Sequence, residues 1–147
     1  MPDLVLVLNG PNLNLLGTRE PEVYGRQTLD DIAELLSEKG RLLNIEVDCR
    51  QSNHEGHLID WLHEAADVRA LAVILNGGAY SHSSIAIRDA IKSIATPVIE
   101  VHLSNPAARE SFRHVSHLSP VAAGVIQGFG VRSYLLALDA AAAMRQG

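Results

Sequence analysis

Polar residues that could bind an anion or transfer a proton occur where the apolar runs of this sequence end. Three of these runs are followed by the sets Asn9 and Asn12; Asn76, Gly77, Gly78 and His82; and His102, Ser104, Arg109 and Arg113. Asparagine and glycine also end strands for purely structural reasons, so each position taken alone allows both interpretations. Asn, His and Arg that converge on one edge of a sheet favour a binding site.

Glu100 and His102 stand two residues apart in the run Val98-Ile99-Glu100-Val101-His102. Because side chains alternate across a strand, both are expected on the same side. A carboxylate beside an imidazole can orient and charge it, which suits a general acid. A buried pair with a purely structural role fits the same spacing.

The segment from Leu16 to Arg26 has no helical or strand period and contains glycines at 17 and 25. It is too long for a tight connection between a strand and a helix, and loops of this kind often act as lids. Arg19 stands five residues before Tyr24 in this segment, which places a cation near a phenol. A merely solvated loop is the other interpretation.

Several other chemistries lack their sequence signatures. His54-Glu55-Gly56-His57 does not have the spacing of a zinc-binding helix and is interpreted as a capped helix start. Gly128-Phe129-Gly130 is a fragment of a dinucleotide fingerprint, but it follows the last strand and lacks the third glycine. No phosphate-binding loop with a lysine and no Gly-x-Ser-x-Gly motif is present.

The lysines and the cysteine are also poor candidates for covalent catalysis. Only Lys39 and Lys92 occur, both toward the ends of predicted amphipathic helices and on faces expected to be solvated. Schiff-base chemistry needs a desolvated lysine in the pocket. The single cysteine, Cys49, cannot form an internal disulfide and is expected to be a small buried hydrophobe near the end of a strand.

The elements that must position these residues alternate between apolar runs and helical patterns. Strands are expected at Leu4 to Leu8, Leu43 to Asp48, Ala70 to Leu75, Val98 to Leu103 and Pro120 to Ile126. Helices are expected from Thr28 to an end at Gly40, from Glu55 to Ala66, from a cap at Ser81 or Ser83 to Ile94, and after Gly130. This alternation predicts an α/β fold, a flavodoxin-like doubly wound sheet of five parallel strands in the order 2-1-3-4-5 with helices on both faces.

Composition limits the class of protein. A chain of 147 residues with 47% hydrophobic and 20% charged residues is expected to form a single domain, residues 1–147, with a sizeable core. A net charge of −5 argues against binding to nucleic acid or an anionic membrane, so the positive groups must act locally. No apolar run approaches the roughly 20 residues of a membrane span. The N-terminus lacks a secretory signal pattern, so a cytoplasmic location is expected.

Five motifs, in order along nearly the whole chain, resemble those of type II 3-dehydroquinate dehydratases. They are Gly10-Pro11-Asn12-Leu13-Asn14-Leu15-Leu16-Gly17 with Arg19-Glu20-Pro21 and Tyr24-Gly25; Ser52-Asn53-His54-Glu55-Gly56; Gly78-Ala79-Tyr80-Ser81-His82; Ile87-Arg88-Asp89-Ala90; and Glu100-Val101-His102-Leu103-Ser104-Asn105 with Arg109-Glu110 and Phe112-Arg113. One departure is Gly77, where the family usually has proline. A slightly more flexible turn that keeps its binding function is expected there.

The resemblance implies a lyase, without metal or cofactor, that dehydrates 3-dehydroquinate to 3-dehydroshikimate by anti elimination through an enolate. It implies that Tyr24 is the base, that Arg19 keeps Tyr24 ionised and stabilises the transition state, and that His102 is the acid. Asn12 would place a water that stabilises the enolate.

The resemblance also implies how the substrate is held and how the chains assemble. Asn76 and the backbone amides of Leu103 and Ser104 would bind the substrate carboxylate, and His82 and Arg113 would bind ring hydroxyls. Asp89 would contact the substrate of a neighbouring subunit in a homo-oligomer, a dodecamer built from trimers.

Two other classes of function are compatible with the fold. A flavin- or nucleotide-binding module would need aromatic residues at strand ends, yet the one tryptophan, Trp61, is predicted inside a helix and aromatics make up 4% of the chain. A non-catalytic scaffold would assemble without turnover.

Overall fold

The computed structural model describes residues 1–18 and 20–145, without the side chains of Val23 and Tyr24, and in this part the strands alternate with helices. The strands are β1 (Asp3–Asn9), β2 (Ile45–Gln51), β3 (Ala72–Asn76), β4 (Val98–His102) and β5 (Gly124–Gln127). The helices are α1 (Pro21–Tyr24), α2 (Leu29–Leu43), α3 (Glu55–Asp67), α4 (Ile85–Ser93) and α5 (Arg132–Ala143). Short 3-10 turns occupy Leu13–Leu15, Gly78–His82, Pro106–Ala108, Ser111–Arg113 and Ser119–Val121.

The strands form one sheet in the order β2-β1-β3-β4-β5. Every neighbouring pair is parallel, and the register places Asn9 beside Asn76 at the ends of β1 and β3. The predicted fold class and strand order are therefore confirmed.

Helices cover both faces of the sheet because β1 is apolar on both of its faces. Val5 and Val7 lie in a core cluster with side chains of α2 and α5, whereas Leu6 and Leu8 lie in a second cluster with side chains of α3 and α4. All four side chains are completely buried. Burial of each contributes about 1.5–3 kcal/mol, which holds the central strand in place between the two helical layers.

Helix α2 begins as predicted but does not end as predicted. Thr28 caps it in a reciprocal capping box, in which its side chain accepts from the Asp31 amide and the Asp31 carboxylate accepts from the Thr28 amide. The predicted end at Gly40 is wrong, because the helix continues to Leu43 and ends at Asn44 in the left-handed conformation. A Cβ at Gly40 would lie 2.6 Å from the Ile45 carbonyl oxygen, so glycine is needed there for close packing against β2.

Other boundaries also differ from the sequence prediction. Strand β2 begins at Ile45 rather than Leu43, because α2 occupies those residues. Helix α4 is capped by Ser84, whose side chain accepts from the Ile87 amide, and not by Ser81 or Ser83. The predicted start of the last strand at Pro120 is wrong because residues 119–121 form a 3-10 turn.

The segment without a sequence period contains a short helix, α1, which begins with Pro21. Proline suits the first turn of a helix because its fixed φ is helical and its missing N–H would have no partner there. No helix in the described part of the chain is long and apolar enough to cross a membrane.

Cys49 lies in β2, half-buried against the core cluster of α2 and α5. Burial raises the pKa of its thiol to about 12, and the neighbouring Asp48 carboxylate adds to this effect. Since the thiolate is the reactive form, we expect iodoacetamide at pH 7.5 to leave the native chain unmodified and to alkylate the denatured chain fully. Intact-mass spectrometry measures both states, and stoichiometric alkylation of the native chain would contradict this interpretation.

Candidate active site

A cavity of about 230 Å³ lies at the carboxyl ends of β1, β3 and β4. In a doubly wound sheet this edge is where ligands bind. The cavity is smaller than the roughly 300–1,000 Å³ of sites for drug-sized ligands, so it suits a small molecule. The structure brings these predicted site residues together in its wall: Asn12, Asn76, His82, His102, Leu103, Ser104 and Arg113.

Three predicted site residues do not contribute a described side chain to this wall. Arg19 lies outside the described residues, and so does the side chain of Tyr24. Asp89 is exposed on α4 and does not line the cavity. The interpretation of Arg19, Tyr24 and Asp89 therefore remains a prediction.

His102 and Glu100 form a buried pair at the end of β4. The His102 Nε2 atom lies 2.6 Å from a Glu100 carboxylate oxygen, and the two residues are 7% and 1% exposed. A carboxylate only accepts, so Nε2 carries a hydrogen and donates it. This leaves Nδ1 of His102 as the ring nitrogen that can give a proton to a molecule in the cavity.

The Glu100 carboxylate has further donors that hold it in its charged form. Ser116 Oγ donates at 2.7 Å, and Ser119 Oγ donates to the other carboxylate oxygen. Burial by itself raises the pKa of Glu100, but the hydrogen bond and charge of His102 and the two serine hydroxyls outweigh it, so the pKa is below its usual value. Glu100 is therefore an anion at neutral pH and places its negative charge against the His102 ring.

The two serines were not found from the sequence. Ser116 and Ser119 lie in the polar segment between β4 and β5, 16 and 19 residues after Glu100. No spacing rule connects a strand carboxylate to a loop hydroxyl at that separation. Only the folded chain shows that the Glu100 carboxylate is satisfied by donors.

His82 faces the same cavity with its tautomer fixed. Its Nδ1 atom lies 2.9 Å from the Val115 carbonyl oxygen, which only accepts. Nδ1 therefore carries a hydrogen, and Nε2 is the nitrogen that can bond a ligand hydroxyl. The rings of His82 and His102 lie 6.2 Å apart and nearly parallel.

Two arginines line the cavity wall although the chain is acidic, and the Glu110 carboxylate lies within 4 Å of both. The arginines are Arg109 and Arg113, and Arg113 Nε donates to Glu110 at 2.9 Å. Arg109 donates to Ser104 Oγ at 3.3 Å. Among the described residues that line the cavity there is no carboxylate. This arrangement favours a small anion.

Asn76 ends β3 and closes the turn that follows it. Its Oδ1 atom accepts from the Gly78 amide at 3.1 Å. Gly77, which replaces the usual proline of the resembling family, has φ −72°, a value that proline also adopts. The φ of this turn is thus compatible with proline, although a Cβ at Gly77 would lie 2.7 Å from Ser81 Oγ, which would have to move. The expected greater flexibility remains a prediction.

The segment that carries Tyr24 leads to the edge of the site. Gly25 and Gln27 line a groove together with Leu103, Ser104 and Arg109, and these last three also line the cavity. The backbone that follows Tyr24 therefore lies beside the cavity wall.

The residues from His54 to His57 begin α3, as the sequence suggested, but the His54 side chain makes no capping bond. His57 Nδ1 instead lies 2.7 Å from Ser52 Oγ. Within residues 1–18 and 20–145, no cluster of three or more His, Cys, Asp or Glu side chains could hold a metal ion.

The chain is similar to proteins of one known family over most of its length. The model of the family "Dehydroquinase class II" matches residues 3–142. A 3-dehydroquinate dehydratase of Mesorhizobium japonicum is 61% identical over 140 residues, covering 95% of this chain and 96% of the relative. One of Variovorax paradoxus is 59% identical over 140 residues, covering 92% of this chain and 96% of the relative.

A solved structure agrees in fold as well as in sequence. The crystal structure of a type II dehydroquinase from Propionibacterium acnes is 49% identical, with a TM-score of 0.94, and the match covers 97% of this chain and 98% of that chain. The family match spans most of the chain, and the motifs it includes supply the cavity wall described above. The chain belongs to the class II dehydroquinase family.

Proposed function

We propose that this chain is a hydro-lyase of the shikimate pathway that dehydrates 3-dehydroquinate to 3-dehydroshikimate by anti elimination through an enolate. The observation that carries the proposal is that His102, which lines a small cavity together with Arg109 and Arg113, is bonded to the buried Glu100 carboxylate. Two relatives with more than half of their residues identical to this chain are named 3-dehydroquinate dehydratase.

His102 supplies the proton for the leaving hydroxyl. Once the enolate has formed, it expels the hydroxyl group, which takes a proton from His102 and leaves as water. Glu100 stabilises the imidazolium before the transfer because it is a hydrogen-bonded anion at 2.6 Å. A general acid in this position contributes about 10²–10⁴-fold to the rate.

Tyr24 removes the proton from the carbon beside the ketone, and Arg19 keeps the Tyr24 oxygen ionised. Support for these two roles comes from the motif match and from the groove beside the cavity that Gly25 and Gln27 line. Asn12, which lines the cavity in a left-handed conformation, places the water that stabilises the enolate.

The substrate carboxylate lies against Asn76 and the backbone amides of Leu103 and Ser104. His82 and Arg113 bind the ring hydroxyls, and His82 does so through Nε2 because its Nδ1 is bonded to Val115. All five residues line the same cavity.

Assembly completes the site. Asp89 is exposed on α4 and lies outside the cavity of its own chain, as expected of a residue that contacts a neighbour's substrate. We expect a dodecamer built from trimers, located in the cytoplasm.

Neither lysine is placed for Schiff-base formation. Lys39 Nζ donates to the Leu135 carbonyl at 3.1 Å and pairs with Asp139 at 2.7 Å, and Lys92 is exposed on α4. Neither residue lines the cavity. These positions support a reaction that proceeds without an imine.

An ultraviolet assay for the conjugated enone product tests the proposal. With 3-dehydroquinate we expect absorbance to rise in proportion to enzyme, and we expect the same rate after the enzyme has been treated with borohydride in the presence of substrate. A yellow protein that produces no enone would point to a flavin-binding module instead. Loss of activity after borohydride would show that an imine forms.

A further inference from the structure

A fully buried tyrosine connects the ends of two strands beneath the cavity. Tyr134 of α5 is 0% exposed. Its hydroxyl donates to Asn9 Oδ1 at 2.6 Å and accepts from Asn76 Nδ2 at 2.9 Å. Asn9 is the last residue of β1 and Asn76 the last residue of β3.

Backbone groups fix the direction of this chain of hydrogen bonds at both ends. At one end Asn9 Nδ2 donates to the Arg50 carbonyl at 3.1 Å, and at the other end Asn76 Oδ1 accepts from the Gly78 amide at 3.1 Å. A carbonyl only accepts and an amide N–H only donates. Rotating either side-chain amide by 180° would bring two donors or two acceptors together, so each amide has one satisfied orientation.

In this orientation the Asn76 side-chain nitrogen keeps one hydrogen that Tyr134 does not use. Its Nδ2 atom has two hydrogens, and one of them goes to Tyr134. Asn76 lines the cavity, and its oxygen is held toward the Gly78 amide, from which it accepts. The group left to donate to a ligand is therefore the second N–H, and a donor suits a carboxylate.

We infer that Tyr134 and Asn9 are positioning residues that orient the Asn76 amide so that its nitrogen, and not its oxygen, is presented to the carboxylate of the substrate. Asn9 does not line the cavity, and Tyr134 does not either. Both act through Asn76. The identity of the carboxylate rests on the proposed function, whereas the orientation of the amide does not.

The environment of Tyr134 keeps it a donor. Burial raises the pKa of its hydroxyl, and this outweighs the opposing effect of the bond from Asn76. The hydroxyl therefore stays protonated in any working buffer and continues to donate to Asn9. Phenylalanine would fill the same space without fixing the amide.

The test is Tyr134→Phe, assayed with 3-dehydroquinate. Loss of one well-placed hydrogen bond to a charged group corresponds to about 10- to 100-fold in binding. We expect KM to rise by about that factor and kcat to change less, because the carboxylate is held equally in ground state and transition state. A fall in kcat at unchanged KM, with a lower Tm, would mean a merely structural role and would overturn the inference.

Ser133→Ala is the matched control. Ser133 is also fully buried in α5, and its hydroxyl accepts from the Phe129 amide at 3.1 Å, away from the cavity wall. We expect a lower Tm and an unchanged KM. Asn9→Leu should raise KM as Tyr134→Phe does, and the double variant should be no worse than the more affected single variant, since both act along one chain. Additive effects in the double variant would contradict the inference.

A second measurement needs neither turnover nor a stable variant. In the wild-type protein labelled with ¹⁵N-asparagine, one Asn76 side-chain amide proton should exchange slowly and the other rapidly, because only one is bonded to Tyr134. Equal exchange of the two protons would overturn the inference whatever the enzyme turns over. Failure of the wild-type chain to dehydrate 3-dehydroquinate would instead overturn the proposed function.

Discussion

Replacing Arg19 with alanine is expected to lower kcat about a thousandfold at neutral pH while the fold remains intact. A free tyrosine has a pKa of about 10, so a tyrosine base needs a pKa about three units lower, a change of roughly 4 kcal/mol. One cation about 4 Å away supplies on the order of 4 kcal/mol at an effective dielectric constant near 20. A single guanidinium is just sufficient, provided that the segment closes over the substrate and excludes water.

The direction of the pH effect distinguishes this role from simple binding. The base must be ionised, so activity rises with pH through the pKa of Tyr24. Without Arg19 that rising limb moves to higher pH, and part of the lost rate returns in alkaline buffer. A pH profile of kcat for Arg19→Ala against wild type measures the shift.

Three variants of this segment separate charge from position. Arg26→Ala is the matched control, because Arg26 is an exposed arginine of the same segment, and we expect it to keep kcat near the wild-type value. Arg19→Lys keeps the charge without the planar fork and should fall between wild type and Arg19→Ala. If Arg19 acts through Tyr24, the double variant Arg19→Ala with Tyr24→Phe should have the same kcat as Tyr24→Phe alone. An unchanged kcat in Arg19→Ala would remove the argument for Tyr24 as the base.

The parts of the fold that the sequence predicts best are those with uninterrupted local patterns. Strand β1 is apolar at every position from Val5 to Leu8, which in a parallel sheet means burial on both faces, and the structure has this burial. The cap at Thr28 was predicted for a similar reason, because its hydrogen bonds lie within four residues, whereas the reciprocal bond from Asp31 was seen only in the structure. The helix end predicted at Gly40 was wrong because the sequence does not distinguish a glycine that ends a helix from one that permits close packing.

In the candidate site, too, the local contacts were predicted from the sequence and the long-range contacts were not. The spacing of Glu100 and His102 predicts a shared face, and the two side chains are in contact. Tyr134, in contrast, bonds residues 58 and 125 positions away, and no period or motif links such positions. Long-range polar contacts of this kind follow from the packing of α5 on the sheet, which local patterns do not specify.

Replacing His102 with alanine is expected to lower kcat by about 10²–10⁴ and to change KM much less. The variant removes the proton donor for the leaving hydroxyl but leaves Asn76, Leu103, Ser104 and Arg113 in place to bind the substrate. Steady-state kinetics with 3-dehydroquinate measures both constants. His63→Ala is the control, because His63 is exposed on α3 and does not line the cavity, and it should behave as wild type.

Glu100→Gln tests whether the charge of the partner matters beyond its hydrogen bond. The pKa of Glu100 lies below its usual value of 4.5, so in the wild type its negative charge stabilises the imidazolium across the whole neutral range. Glutamine keeps an acceptor for Nε2 but removes the negative charge that stabilises positive charge on the ring, so we expect kcat to fall and KM to change much less. A kcat for Glu100→Gln equal to that of wild type would show that the buried carboxylate only holds the ring in place. Turnover at the wild-type rate by His102→Ala would show that another group protonates the leaving hydroxyl.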